Sequence, residues 1–187
     1  GTGYGIRYDY GIFGQAIHNG MQVEEPDSWL LHGSPWEVLR TETVYRVRYG
    51  GHVVPRKDET GRTSFRWEGT DDVLAEAHDV AVPGYRNDVV NTLRLWWPRP
   101  VHAFDLALFN AGDHSGSVAQ RNIAENISRV LYPNDSGPAG KELRLRQEYF
   151  FVSASLQDAV LRHLKRWGTL DDLPEHNVFQ LNDTHPA

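Results

Sequence analysis

The sequence predicts an α/β chain, β-rich through about residue 98 and helical with a terminal strand over 99–187. Three patterns carry that expectation. Extended runs rich in β-branched and aromatic residues are punctuated by Asn19-Gly20, Gly50-Gly51 and Pro83-Gly84. After Pro98 the apolar spacing changes to steps of three and four. At the end, "NVFQLNDTHPA" resumes a short buried-strand pattern.

In chain order, Asn19-Gly20 supplies the two positive-φ residues that a type I′ hairpin turn requires, which places strands at about 12–18 and 21–25. "VYRVRYGGHVV" alternates apolar and polar residues into a glycine pair and reads as a strand entering a tight turn. "SFRWEG", "DVLAEAHDVAVPG" and "VVNTLRLWW" follow as strands, with "RKDETGRT" as a polar loop. Ser117 stands three residues before Gln120, a capping-box spacing, and Ile123, Ile127, Val130 and Leu131 then share one face, so a helix is expected from Ser117 to about Leu131. A second long helix begins near Lys141, aligns Leu145, Tyr149, Val152, Leu156, Val160 and Leu164, and ends at Gly168. Between the two helices, "YPNDSGPAG" exposes Asn134, Asp135 and Ser136.

Composition narrows the function classes. With 187 residues and 40% hydrophobic content the chain can bury a substantial core. No run approaches the roughly 18 apolar residues of a membrane span, which argues against a membrane partner. The net charge of -6, with 19 scattered basic residues, offers a nucleic acid no continuous footprint. The absence of cysteine excludes thiolate chemistry and agrees with a cytoplasmic location.

Several short motifs have plain readings. "GTGYG" lacks the spacing of a dinucleotide fingerprint and reads as a tight loop. Asp183 and His185 are too few to hold a metal and read as hydrogen-bonding pocket residues. Adjacent Glu24 and Glu25 point to opposite faces of a strand and cannot act as an acid/base pair. Arg162, His163, Lys165 and Arg166 complement a helix dipole at its C-terminal end. The six tryptophans could form sugar-stacking platforms, but Trp96-Trp97 fits a core better.

Five blocks carry a resemblance: "GYGIRYDYGIF" (3–13), "VPGYRNDVVNTLRLW" (82–96), "NIAENISRVLYPND" (122–135), "GKELRLRQEYFFVSASLQD" (140–158) and "QLNDTHP" (180–186). In that order they resemble the N-terminal domain of glycogen and other α-glucan phosphorylases. The resemblance implies a partial N-terminal domain of a GT-B, Rossmann-like glycosyltransferase, its final strand at the catalytic cleft. The implied activity is phosphorolysis of α-1,4-glucan ends (glycogen, starch or maltodextrin) by inorganic phosphate to glucose 1-phosphate. The implied cofactor is pyridoxal phosphate, on a lysine that none of the three lysines here matches. The fragment alone is therefore expected to be inactive and to hold no catalytic residue.

For individual residues, the resemblance places Asn134, Asp135 and Ser136 on a gate loop beside the substrate cleft. The family more often has asparagine where this chain has Ser136. Arg144 is the nearby basic counterweight, and Asp183 and His185 line the side of the same cleft. Ile123, Ile127 and Val130 fall on the family's tower helix, which implies a homodimer in the full-length protein. Leu161-Arg162 aligns with an arginine pair that clamps an activating nucleotide's phosphate in animal members, so the effector site is degenerate here. The alternative from another class is a self-standing carbohydrate-binding or dimerisation module.

Overall fold

The computed structural model describes residues 1–179, so most of the expected terminal strand over 177–187, with Asp183 and His185, falls outside the described residues; its first three residues are not in a strand, and Val178 and Phe179 are exposed. Eight strands come first: β1 (Thr2–Ile6), β2 (Gly14–His18), β3 (Met21–Glu25), β4 (Glu37–Tyr49), β5 (His52–Lys57), β6 (Thr63–Glu68), β7 (Asp71–Pro83) and β8 (Val90–Pro100). The helices follow: α1 (Leu106–Asn110), a 3-10 turn (Gly116–Val118), α2 (Ala119–Ser128), α3 (Pro138–Trp167) and α4 (Leu173–His176). Four strands form the main sheet in the order β1-β8-β7-β4, with β1 parallel to β8 and the other pairs antiparallel. The pairs β2-β3 and β5-β6 stand apart as two-stranded hairpins.

Local chemistry explains the hairpin turn and the long helix's end. Asn19 and Gly20 take φ of 51° and 77°, as the two-residue turn between β2 and β3 demands. Gly168 takes φ 79° and returns its N–H to the Leu164 carbonyl, closing α3.

The remaining sequence expectations need correction at five points. "GTGYG" is strand β1, not a loop: an added Cβ at Gly5 would lie 3.1 Å from Leu95 Cδ2, so glycine lets the edge strand approach the leucines of β8. The polar stretch after Gly51 is partly strand, since β5 reaches Lys57 and pairs with β6. The capping box does not form, because the Ser117 hydroxyl turns back to the His114 carbonyl at 2.7 Å and α2 begins only at Ala119. That helix is ten residues long, so there is one long helix rather than two. On α3 the buried stripe is Gln147, Phe150, Ala154 and Asp158, whereas Leu145, Tyr149 and Leu156 of the expected apolar face remain exposed. Polar residues occupy the docked face because each finds a partner there.

The core lies between one face of the sheet and the pair α2 and α3. Trp96 is fully buried at its centre, opposite Ala77 in the ladder. Tyr4 stacks on it at 6.1 Å, Tyr45 meets it edge-on at 5.5 Å, and its indole N–H donates to Ser155 Oγ at 3.0 Å. Val47, Val73, Ala75, Ile127, Phe150 and Ala154 complete this layer, the alanines making room for the indole. On the reverse face Glu37 accepts from Arg7 and from His78 Nδ1, and Arg99 reaches Glu76 at 2.7 Å.

Candidate functional site: the loop between the two helices

A helix end leaves backbone carbonyls without partners, and here two distant segments supply them. Gln147, buried on α3, donates its amide hydrogens to the carbonyls of Ile127 and Val130 at 3.0 and 2.8 Å. The backbone N–H groups of Asp9 and Tyr10 take the carbonyls of Ser128 and Arg129 at 2.7 and 3.2 Å. Arg144 then reaches the Leu131 carbonyl at 3.3 Å. Five consecutive carbonyls are thus held as the chain leaves α2, and the start of the loop is fixed before its polar residues begin.

The far end of the loop is fixed by contact. At Gly140, in the first turn of α3, an added Cβ would fall 2.0 Å from the Asn134 carbonyl oxygen and 2.8 Å from Asp135 Cα. Only glycine lets the loop lie this close to the helix. Within the loop, Asn134 Oδ1 accepts from the backbone N–H and hydroxyl of Ser136 at 3.0 and 2.7 Å, an Asx turn that presents both residues to solvent. Asp135 between them is half-buried. Arg144 sits 3.0 Å from Glu148 and 5.7 Å over the Tyr132 ring. Tyr8 belongs to the same neighbourhood; burial, opposed by the Arg144 charge, pushes its phenol up to about 12. The arrangement is a rigidly mounted polar tip carrying an amide, a carboxylate and a hydroxyl, suited to hydrogen-bonding a polyol.

A second polar centre lies further along α3. Asp158, buried, accepts from the hydroxyls of Tyr4 and Tyr45 at 2.6 and 2.9 Å and from Arg94 at 2.7 Å. Arg94 also grips Asp79 through two hydrogen bonds of 2.8 Å, and these hold the Asp79 carboxyl below the usual range. Burial, then the Asp158 carboxylate, pushes the Tyr4 phenol up to about 12 and raises that of Tyr45 as well. Beside this network opens a cavity of about 330 Å³ that Leu161, Arg162 and Lys165 line from α3. Leu161 is 43% exposed, and Arg162 donates to Thr2 Oγ1 at 2.6 Å while lying 3.7 Å from Asp158.

The expected site residues therefore separate. Asn134, Asp135, Ser136 and Arg144 share one region; Leu161 and Arg162 occupy another. Of the expected tower-helix face, Ile127 is a core residue, Val130 is half-buried and only Ile123, 44% exposed, faces outward. Ile127 is thereby removed from any intersubunit face: one side of α2 must cover the sheet, and Ile127 lies on it. The lysines Lys57, Lys141 and Lys165 are all exposed, at a hairpin end and at the two ends of α3. None sits in an enclosed site that could hold an aldehyde cofactor, so the residues present do not fit that group. Gln147, Arg94 and Asp158 went unrecognised in the sequence, where a lone glutamine or aspartate on a long helix carries no sign of its distant partner.

This chain is similar to known proteins along its whole length. A family model described as carbohydrate phosphorylase matches residues 1–187. Glycogen phosphorylase of Chlamydia pneumoniae is 51% identical over 185 residues, covering 99% of this chain and 22% of that protein. The liver form of human glycogen phosphorylase is 50% identical over 193 residues, and the Saccharomyces cerevisiae enzyme 49% over 186, each covering 99% of this chain. The chain thus spans about a fifth of the length of these relatives, 22% and 21% of the latter two. Taken with the mixed sheet backed by α2 and α3 and the loop anchored between them, this uninterrupted match means that the chain belongs to the carbohydrate phosphorylase family.

Proposed function

We propose that this chain is part of the N-terminal domain of a GT-B glycogen phosphorylase. In the reaction, an oxygen of inorganic phosphate bonds to C1 of the terminal α-1,4-linked glucosyl unit as the bond from C1 to the departing O4 breaks. O4 takes a proton, and glucose 1-phosphate and a shortened glucan leave. Pyridoxal phosphate, the cofactor this reading implies, would be held by residues outside this chain. The observation that carries the proposal is the identity of about half to glycogen phosphorylases over 99% of this chain.

What this chain contributes is positioning. Asn134, Asp135 and Ser136 present hydrogen-bonding groups to a neutral sugar, and the Asp135 carboxylate disfavours a second anion at the wrong place in the cleft. Asp183 and His185, which lie outside the described residues, are in this reading further hydrogen-bonding residues for the same substrate. The exposed side of α2, at Ile123, contacts its twofold mate in a cytoplasmic homodimer. The effector site at Leu161 and Arg162 is degenerate.

A free-standing carbohydrate-binding or dimerisation module is the competing reading. Against it, the chain presents 13,349 Å² of accessible surface, where a compact monomer of 21.3 kDa presents about 9,100 Å². Large apolar residues, among them Ile17, Trp36, Phe65 and Tyr85, stand in that excess. The test is release of glucose 1-phosphate from glycogen and inorganic phosphate by the intact protein. Release by the intact protein and none by this chain alone is expected; release by the chain alone, or none by either, would refute the proposal.

A further inference from the structure

The chain leaves β1 at Ile6 and, before β2, passes the end of α2. Arg7 still donates its backbone N–H to the Trp96 carbonyl at 2.9 Å, and two residues later the Asp9 N–H meets the Ser128 carbonyl at 2.7 Å. The Asp9 side chain adds two contacts that these backbone bonds do not require. Its Oδ1 accepts the indole N–H of Trp97 on β8 at 3.1 Å, and its Oδ2 accepts the hydroxyl of Ser128, the last residue of α2, at 3.2 Å. One carboxylate therefore joins the main sheet to the end of the helix that leads into the loop of residues 131–137. Both of its partners are fixed. The Trp97 ring meets His78 edge-on at 5.8 Å and lies 5.6 Å under the Arg7 guanidinium, and Ser128 is fully buried.

The loop thus has two mountings of different kinds. Gln147 and Arg144 set it against α3, whereas Asp9 sets it against β8. The second bears on geometry more than on stability. With the carboxylate deleted, the carbonyls of Ser128 and Arg129 keep the backbone N–H groups of residues 9 and 10, so the helix end stays satisfied. What disappears is the pull that draws that end toward Trp97. A cavity of about 430 Å³ beside the clip, bounded by Asp9, Trp97 and Arg129 among others, gives it room to shift. A substrate held between this loop and groups elsewhere in the protein is sensitive to shifts of an ångström.

We propose that Asp9 is a positioning residue for phosphorolysis: through Trp97 and Ser128 it sets the loop of residues 131–137 at the distance from the sheet that the reacting glucosyl unit requires. The role in turnover rests on the proposed reaction; the clip itself rests on the hydrogen bonds of one carboxylate to two elements.

The test compares the intact protein with Asp9→Ala, Asp9→Asn, Trp97→Phe and the double variant Asp9→Ala, Trp97→Phe. Asparagine preserves the clip: its Oδ1 accepts from the indole, and its amide donates to Ser128 Oγ, whose own hydrogen turns to the Glu125 carbonyl, 3.4 Å away. Phenylalanine keeps the ring and removes only the N–H. Asp9→Ala is expected to lower kcat on glycogen about tenfold with the KM for phosphate unchanged, and Asp9→Asn to restore the rate. Trp97→Phe should lower kcat by a smaller factor, and the double variant should fall no further than Asp9→Ala, because both changes cut one chain of contacts. Hydrogen exchange over residues 129–137 is read in parallel and should quicken in Asp9→Ala and recover in Asp9→Asn. An intact wild-type protein without phosphorolysis would sink the proposed reaction, while that exchange pattern would still support the clip. A fall in melting temperature in Asp9→Ala with kcat and exchange unchanged, the behaviour of a merely structural contact, would overturn the inference, as would multiplied losses in the double variant. Trp97→Phe decides the same question if alanine at position 9 prevents folding: unchanged kcat and exchange in it would overturn the inference.

Discussion

Tyr4 and Asp158, 154 positions apart, share a hydrogen bond of 2.6 Å that ties the edge strand β1 to the middle of α3. Because burial and the carboxylate raise the Tyr4 phenol to about 12 from 10.0, the folded state holds that proton more tightly than the unfolded chain. Its contribution to stability is fully present below pH 10 and is lost as pH rises toward 12. Alkaline titration of the intact protein at 295 nm should therefore lose one late-titrating tyrosine in Tyr4→Phe. An unchanged late phase would contradict the assignment.

Removing the acceptor is worse than removing one donor. Asp158→Ala leaves both phenols and one N–H of Arg94 without their acceptor, Arg94 keeping Asp79, and should cost about 1–3 kcal/mol for each buried donor left unpaired, whereas Tyr4→Phe should cost about 1 kcal/mol. Denaturant unfolding of the intact protein, following the transition that contains this domain, distinguishes them. Equal losses would mean that the network does not centre on Asp158.

Gln147→Leu keeps the volume but leaves the carbonyls of Ile127 and Val130 without their donor. The expected loss is about 1–3 kcal/mol for each buried acceptor left unpaired, with faster proteolytic cleavage within residues 131–137. Wild-type resistance to cleavage would show that Asp9 and Tyr10 suffice to hold the loop.

Gly140→Ala and Gly137→Ala form a matched pair. The first drives a methyl into the Asn134 backbone; the second meets nothing within 4 Å and already has an extended φ of -113°. Phosphorolysis should fall at least about tenfold in kcat/KM for Gly140→Ala, given the sensitivity of such sites to shifts of an ångström, and stay near wild type for Gly137→Ala. Similar behaviour of the two would remove the loop from the substrate cleft.

Nucleotide activation is expected to be absent. Leucine at 161 cannot make the two-pronged contact of a guanidinium with phosphate, and Arg162 is already engaged by Thr2. Millimolar AMP at saturating glycogen should leave the rate of the intact protein unchanged. A severalfold rise that disappears in Arg162→Ala would overturn this reading. For assembly, the proposed contact of α2 with a twofold mate predicts that Ile123→Asp lowers the dimer fraction of the intact protein in analytical ultracentrifugation without lowering the melting temperature, whereas Ile127→Asp should unfold the domain; an unchanged dimer fraction in Ile123→Asp would refute that contact.

What was legible in the sequence was local. Asn19-Gly20 and Gly168 announce a turn and a helix end because the backbone conformation is the residue's own property. Strand β1 was not legible, since its glycines become strand residues only against Leu93 and Leu95, about ninety positions later. Ser117 missed its expected role because the 3-10 turn offered its hydroxyl a nearer carbonyl. The buried face of α3 was misread for the same kind of reason: Gln147 and Asp158 look like solvent residues until their partners arrive from α2, β1, β4 and β8. At the candidate site the polar tip was visible, but the contacts that mount it were not.

The parallel pairing of β1 with β8 also has a consequence in time. The antiparallel ladder of β7 and β8 closes through a short connection, whereas β1 must wait for a strand that follows it by more than eighty residues and then for Asp158. Closing so long a loop is slow. During synthesis β1 leaves the ribosome well before β8, yet it is among the last of the described strands to find its place, and Tyr4 is the clasp that fastens when the sheet and α3 have already met.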